Sequence, residues 1–499
     1  MVPIEAKVTS GVPGLDDVLC GGLPTGCLYL CEGNPGVGKT TLAMQFLIEG
    51  RARGETCLYV ALSETRRELE AVARSHGWSL DGLAIIELSA IEAVIGPKGS
   101  QATLFQSAEV ELARLIELVM SEIDRKRPNR VVLDSLSEMR LLAQNPLRYR
   151  REILKLKQEF STRGCTVLLL DDRASEGSDI QVHSIVHGAM LMEASPLKFG
   201  IFRRSLSLTK MRGVKFREGS HDYVINRGGV QVFPRLVAAE HHTEFSKTSA
   251  SSGNAELDAL LGGGLHYGTS NLLIGPAGSG KTTLSLMFAH AAADRGERVS
   301  YYVFDETIGT MCQRAAEMGI DVNGHIRSGL LKVHQVDPAQ TSPGELAFKI
   351  RHSVENDGVR FVVLDSLNGY ITAMPHEAFL HLHLHELLTY LNQQGVMTIM
   401  ILAQHGLLGP MGSPIDVSYL ADSVVITRYF EALGEIRKAI SIIKKRSGPH
   451  EAAVRELMMT TKGVRVGPPL ADFQGVLTGV PSYLGGGRGG AMAGVVAKA

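Results

Sequence analysis

Two short stretches carry the clearest chemistry in this chain. Residues Gly33–Thr41 read GNPGVGKTT and Gly275–Thr283 read GPAGSGKTT. Both fit Gly-x-x-x-x-Gly-Lys-Thr, in which glycines let main-chain N–H groups approach a polyanion unobstructed and a following helix N-terminus favours negative charge. In the first stretch the phosphate-binding residues are Gly33, Gly36, Gly38, Lys39, Thr40 and Thr41; in the second they are Gly275, Gly278, Gly280, Lys281, Thr282 and Thr283. Lys39 and Lys281 are expected to reach the β- and γ-phosphates, and Thr40 and Thr282 to offer hydroxyls to Mg2+. The implied ligand is ATP with Mg2+.

Two carboxylates suit the same chemistry. Asp134 and Asp365 each end an apolar run, RVVLDSL and RFVVLDSL, where a carboxylate holds Mg2+ through water. The competing reading is an Asp capping the next helix. Upstream of these, Glu64 and Glu306 end the strand that follows the first helix of each half, where a carboxylate beside the γ-phosphate orients and deprotonates an attacking hydroxyl or water; simple helix capping is the alternative. The second half offers the acidic pair Asp305-Glu306 and the first only Ser63-Glu64, so the sites are expected to be unequal catalysts. Lys210 with Arg212, and Lys444 with Arg446, stand late in each half and read either as cationic fingers supplied in trans or as lysine gatekeepers on an edge strand. His381 and His385, in FLHLHLHE, share a helix face but lack a third metal donor.

These residues recur because the chain is an internal duplication. Leu15, Lys39 and Thr65 correspond at one constant offset to Leu257, Lys281 and Thr307, in matching sequence contexts. Asp134 with Asp365 and Lys210 with Lys444 follow in the same order at slightly smaller offsets. Within each half, apolar runs such as CLYLCEG, CLYVAL and TVLLLD read as buried parallel strands. They alternate with amphipathic segments such as TTLAMQFLIEGRARG and PLRYRREILKLKQEFSTRG, which have helical spacing. The fold class is therefore α/β, two tandem domains, each a mostly parallel sheet flanked by helices. The expected division is 1–240, 247–484 and a Gly-rich disordered tail at 485–499, with the polar stretch from Arg235 to Asn254 as the linker.

Bulk properties narrow the setting. The chain has 499 residues, 44% hydrophobic and 21% charged, with a net charge of −1, so no basic face for nucleic acid is announced. The six cysteines are scattered and read as free thiols of a reducing compartment. The first residues lack the pattern of a signal peptide, and no apolar run reaches membrane-spanning length. A cytoplasmic protein with no membrane partner is expected.

The paired phosphate loops, the acidic doublet, the DSL strand ends and the Lys-x-Arg elements resemble the KaiC family, circadian-clock ATPases and autokinases and their non-clock relatives. The resemblance covers about residues 5–483. It implies two RecA-like P-loop NTPase domains in a hexameric double ring, with ATP between neighbouring subunits. It further implies ATPase activity in the N-terminal tier, Ser/Thr autokinase activity in the C-terminal tier, and KaiB-like or other signalling partners. Carried onto this chain, Lys39, Thr40, Glu64 and Asp134 form the first site, with Lys210 and Arg212 reaching from a neighbour. Lys281, Thr282, Asp305, Glu306 and Asp365 form the second, completed by Lys444 and Arg446. The family's Ser-Thr phosphoacceptor pair falls on Ser418-Tyr419. Ser418 is kept as the acceptor; with Tyr419 in the second place, an ordered two-site cycle is not implied. Ser63, where the family has a carboxylate, argues for slow N-terminal hydrolysis. Two other readings share the same core: a DNA-processing ATPase of the RecA, RadA or DnaB kind, and a low-turnover scaffold gated by nucleotide.

Overall fold

The structure is a computed structural model that describes residues 6–87, 104–173, 180–196, 200–373, 377–404, 417–461, 463–478 and 480–484. The expected disordered tail at 485–499 lies outside them. The chain divides into two compact units, Met1–Arg235 and Leu236–Ala499.

In the first unit the described residues form one nine-stranded sheet: β1 Leu28–Gly33, β2 Cys57–Ala61, β3 Ala84–Glu87, β4 Arg130–Asp134, β5 Thr166–Asp172, β6 Gly188–Ser195, β7 Arg203–Met211, β8 Ser220–Asn226 and β9 Gly229–Phe233. The spatial order is β9-β8-β7-β6-β1-β5-β4-β2-β3. From β6 across to β3 all neighbours are parallel. From β6 outward to β9 they are antiparallel. In the second unit the strands are β10 Ser270–Pro276, β11 Arg298–Val303, β12 Leu331–Gln335, β13 Val359–Asp365, β14 Met397–Gln404, β15 Ser423–Ala432, β16 Glu435–Lys445, β17 Arg455–Thr460 and β18 Gly463–Pro469. Their order, β18-β17-β16-β15-β10-β14-β13-β11-β12, repeats that of the first sheet strand for strand.

Strand residues alternate between two apolar layers, as the pleat requires. Tyr29, Cys31 and Tyr59 pack under helix α1, Lys39–Ala52, and α2, Arg66–Ser75. Leu28, Leu30, Leu58 and Val60 face the opposite layer, built from α3 Leu104–Lys126, α4 Leu136–Ala143 and α5 Pro146–Thr162, with α6 Ile180–Ile185 leading into β6. The second unit repeats this with α7 Lys281–Asp294, α8 Ile308–Glu317 and α9 Val322–Ser328 on one face. On its other face lie α10 Pro343–Glu355, α11 Leu367–Ala373 and α12 Glu377–Gln393. A parallel strand buried on both faces reads as a continuous apolar run, which is why these strands were visible in the sequence.

The polar stretch after Arg235 is not a free tether. Leu236 and Ala238 are buried in the second unit's core. The Ala238 N–H donates to Glu386 Oε2 at 3.0 Å, and the Thr243 N–H to the Gln393 carbonyl at 3.2 Å. Residues 236–240, assigned from sequence to the first half, therefore pack with the second.

Candidate nucleotide-binding sites

Each phosphate loop joins the central strand of its sheet to a helix. β1 ends at Gly33 and α1 begins at Lys39, with Gly36 and Gly38 at φ 83° and 101°. β10 leads to α7 through Gly278 and Gly280, at φ 74° and 102°. These are left-handed conformations that side chains rarely adopt. A Cβ on Gly38 would come within 2.6 Å of Ile225, and one on Gly280 within 2.0 Å of Met459, so the loops close tightly on the neighbouring strands.

The loop lysines fold back over their own loops. Lys39 Nζ donates to the Gly33 carbonyl at 2.7 Å and pairs with Asp172 Oδ1 at 2.8 Å. Lys281 Nζ donates to the Gly275 and Pro276 carbonyls at 2.9 and 2.7 Å. By sheet register Asp172 corresponds to Ala403, so the second lysine has no such carboxylate, and burial pushes it down to about 8. Thr40 Oγ1 donates to Asp134 Oδ2 at 3.0 Å, which joins the hydroxyl and carboxylate expected to share Mg2+.

Asp134 and Asp365 do not cap helices. Ser135 holds the N-cap position of α4, while Tyr59 donates its hydroxyl to Asp134 Oδ2 at 2.5 Å. Tyr301 does the same to Asp365 Oδ2 at 2.8 Å. Burial raises both carboxyls above the usual range, against the hydrogen bonds that lower them. The tyrosines went unread in the sequence because a tyrosine in an apolar strand looks like core. Their recurrence at the repeat offset was the available signal.

Glu64 and Glu306 are not caps either: Thr65 and Thr307 fill that position on α2 and α8. The backbone beside them is tied to the metal-type carboxylates, with Leu62 N–H donating to the Asp134 carbonyl at 2.6 Å and Phe304 N–H to that of Asp365 at 2.8 Å. Their surroundings then diverge. Glu64 Oε2 is buried without a hydrogen-bond partner among the described residues. Burial, with repulsion from Asp134 and Glu68, raises its carboxyl to about 7. Glu306 is instead clasped by Arg314 through two bonds of 2.6 and 2.9 Å. The repeat offset puts Val72 at the place of Arg314, so the first half has no such clasp. Asp305, the other half of the acidic pair, receives the Ser366 hydroxyl. The sequence favoured the second site as the stronger base; the geometry leaves the unpaired, near-neutral carboxylate in the first.

Lys210 stands near the end of β7, paired to β6, and Arg212 follows that strand, which is interior to the sheet where Ser205–Ser207 also pair with β8. Lys210 Nζ donates to the carbonyls of His183 and Val186, and Arg212 to that of Ser184 at 2.7 Å. Lys444 donates to the Ser418 and Ala421 carbonyls at 2.9 and 2.7 Å, and Arg446 to that of Tyr419 at 3.3 Å. The registers of β6 and β15 make His183 the counterpart of Ser418, so this hydroxyl occurs in the second half alone. Ser418 lies in a half-buried turn and Tyr419 is exposed.

The residues present fit the expected ligands. The glycine turns hold left-handed backbone that side chains rarely adopt, Thr40 and Asp134 supply oxygen donors of the kind Mg2+ takes, and Glu64 aims an unpartnered buried oxygen. Two identically wound, mostly parallel sheets with phosphate loops at their central strands define a tandem RecA-like P-loop ATPase fold. The family model "ATPase: KaiC" matches residues 8–237 and again 250–471. The chain belongs to the KaiC ATPase family, and nucleotide binding follows from that membership. Among its relatives, "Circadian clock protein KaiC3" of Synechocystis sp. is 27% identical over 482 residues, covering 96% of this chain and 95% of the relative. "Circadian clock oscillator protein KaiC" is 26% identical over 484 residues in Thermosynechococcus vestitus and over 485 in Synechococcus elongatus, covering 96% of this chain and 92% of each relative. No helix among the described residues is long and apolar enough to cross a membrane.

Proposed function

We propose that this chain is an ATP-hydrolysing, KaiC-like signalling protein with two unequal nucleotide sites, the second of which is a Ser/Thr autokinase acting on Ser418. The observation that carries this reading is the divergence of two otherwise duplicated sites, with Glu64 free and Glu306 held by Arg314. In the first site, Lys39 and the loop N–H groups would bind the phosphates, and Thr40 and Asp134 would hold Mg2+, whose charge would offset that of the phosphate oxygens. Glu64, ionised once pH rises above about 7, accepts the proton of an attacking water. In the second, Lys281, Thr282 and Asp365 bind and Asp305 with Glu306 orients a hydroxyl rather than water. Ser418 is the matching acceptor, on a turn fastened by Lys444.

Lys210, Arg212, Lys444 and Arg446 complete sites on neighbouring subunits of a hexamer in this reading, and the protein works in the cytoplasm with protein partners of the KaiB-like kind. Phosphoryl transfer depends chiefly on positioning and charge. A phosphate on Ser418 would add about −1.5 to −2 charges near Asp422, a route from chemistry to conformation; Asp416, invoked with it from sequence, lies outside the described residues. Intact-mass analysis after incubation with Mg-ATP tests the kinase. A phosphorylated species is expected in the parent and absent from Ser418→Ala and Lys281→Ala. Undiminished phosphate on Ser418→Ala would move the acceptor elsewhere, and none on the parent would leave a low-turnover scaffold as the better description.

A further inference from the structure

The last turn of α7 and the middle of α9 bring His290, Asp294 and His325 together. His290 and Asp294 are one turn apart on α7 and so share a face. His290 Nδ1 lies 2.9 Å from Asp294 Oδ2, and His325 Nε2 lies 3.1 Å from Oδ1 of the same carboxylate. The imidazoles meet edge to face with centroids 4.8 Å apart. One ligand-type atom from each residue falls within 4.8 Å of the other two, the only such group of His, Cys, Asp or Glu side chains among the described residues.

The fold does not need the two donors on α7. At the repeat offset α1 carries Ile48 and Ala52 in their place, with Ile48 packed against the apolar core, while α9, which carries His325, has no counterpart helix between α2 and β3 among the described residues. The second unit thus adds a helix here and, facing it on α7, puts an imidazole and a carboxylate where the first unit has Ile48 and Ala52. Hydrogen bonding alone gives little reason for the exchange, because the Asp294 side chain is 58% exposed and such contacts stabilise weakly in water. That same opening admits an ion from solvent.

We propose that His290, Asp294 and His325 form a binding site for a divalent transition metal of the zinc class, held by two imidazole nitrogens and one carboxylate oxygen, with water as fourth ligand. Ligands about 2.0–2.1 Å from a tetrahedral ion stand roughly 3.4 Å apart; the two imidazoles contact different oxygens of Asp294, and the three donors, within 4.8 Å of one another, draw in to that spacing by side-chain rotation. Imidazole donors select zinc, cobalt or nickel over magnesium, which keeps this site chemically separate from the phosphate loops. The ion would staple the end of the helix that begins at Lys281 to α9, just ahead of the edge strand β12.

Cobalt(II), a coloured stand-in for zinc, tests this on the full chain after stripping with EDTA and without nucleotide. The parent is expected to take up one equivalent with the visible absorption of a tetrahedral ion, bleached by added zinc. Replacing the donors by their first-repeat counterparts, His290→Ile with Asp294→Ala, is expected to abolish the band while circular dichroism stays parental. His325→Gln is expected to abolish it as well, and decides the matter should the double variant misfold. No stoichiometric uptake by the parent, or an unchanged band in the folded variants, would show a hydrogen-bonded cluster and overturn the site.

Discussion

Glu64 offers the sharpest test of the chemistry, because its environment sets a number. Its carboxyl is raised from an ordinary 4.5 to about 7, first by burial and then by repulsion from Asp134 and Glu68. A general base works ionised, so the sign is fixed: hydrolysis at the first site rises as pH climbs through about 7 and is lost below it. Such a group is about one-tenth ionised at pH 6 and about nine-tenths at pH 8, so turnover rises roughly tenfold across that interval. Phosphate release from pH 5.5 to 8.5, measured in Lys281→Ala protein, isolates this site. Glu64→Gln is expected to lower the plateau by about 10²–10⁴. Val72→Arg carries the reasoning further, because Val72 stands where Arg314 does in the second unit. An arginine clasping Glu64 as Arg314 clasps Glu306 would lower its midpoint by about 1–3 units. A profile flat between pH 6 and 8, or an unmoved midpoint in a folded Val72→Arg protein, would refute the assignment of Glu64 as base.

Three further outcomes follow from the same geometry. Tyr59→Phe removes the 2.5 Å donor to the buried Asp134 carboxylate and should cost about 1–3 kcal/mol in urea unfolding; no loss would mean the bond carries nothing. Asp172→Asn should tighten ATP binding at the first site up to about fivefold in Lys281→Ala protein. It frees Lys39 from an ion pair worth roughly 0.2–1 kcal/mol, since the Asp172 side chain is 46% exposed; unchanged or weaker binding would contradict it. Light scattering with an ATP analogue should show about six chains, by linkage of ligand binding to association, whereas a monomer at micromolar concentration would sink the trans-site reading.

Much of the site was legible because its residues sit close together in the chain or recur at a fixed offset. The phosphate loops needed only their glycine spacing, and Asp134 and Asp365 only an apolar strand ending in a carboxylate. The parallel strands announced themselves as unbroken apolar runs. What escaped reading depends on side chains meeting across elements. Asp172 reaches Lys39 only because β5 lies beside β1, and Arg314 finds Glu306 only through the turn into α8. The stretch after Arg235 looked like a linker from its polarity, yet Leu236 and Ala238 anchor it in the second core. His290, Asp294 and His325 were invisible for the same reason, since two sit on one helix and the third on another.

In this reading one chain holds two separate nucleotide sites, built on Lys39 and Lys281. Equilibrium dialysis with a non-hydrolysable ATP analogue and Mg2+ measures it directly. The parent should bind two nucleotides per chain, Lys39→Ala and Lys281→Ala one each, and the double variant none. A parent that binds a single nucleotide, or single variants that still bind two, would contradict it.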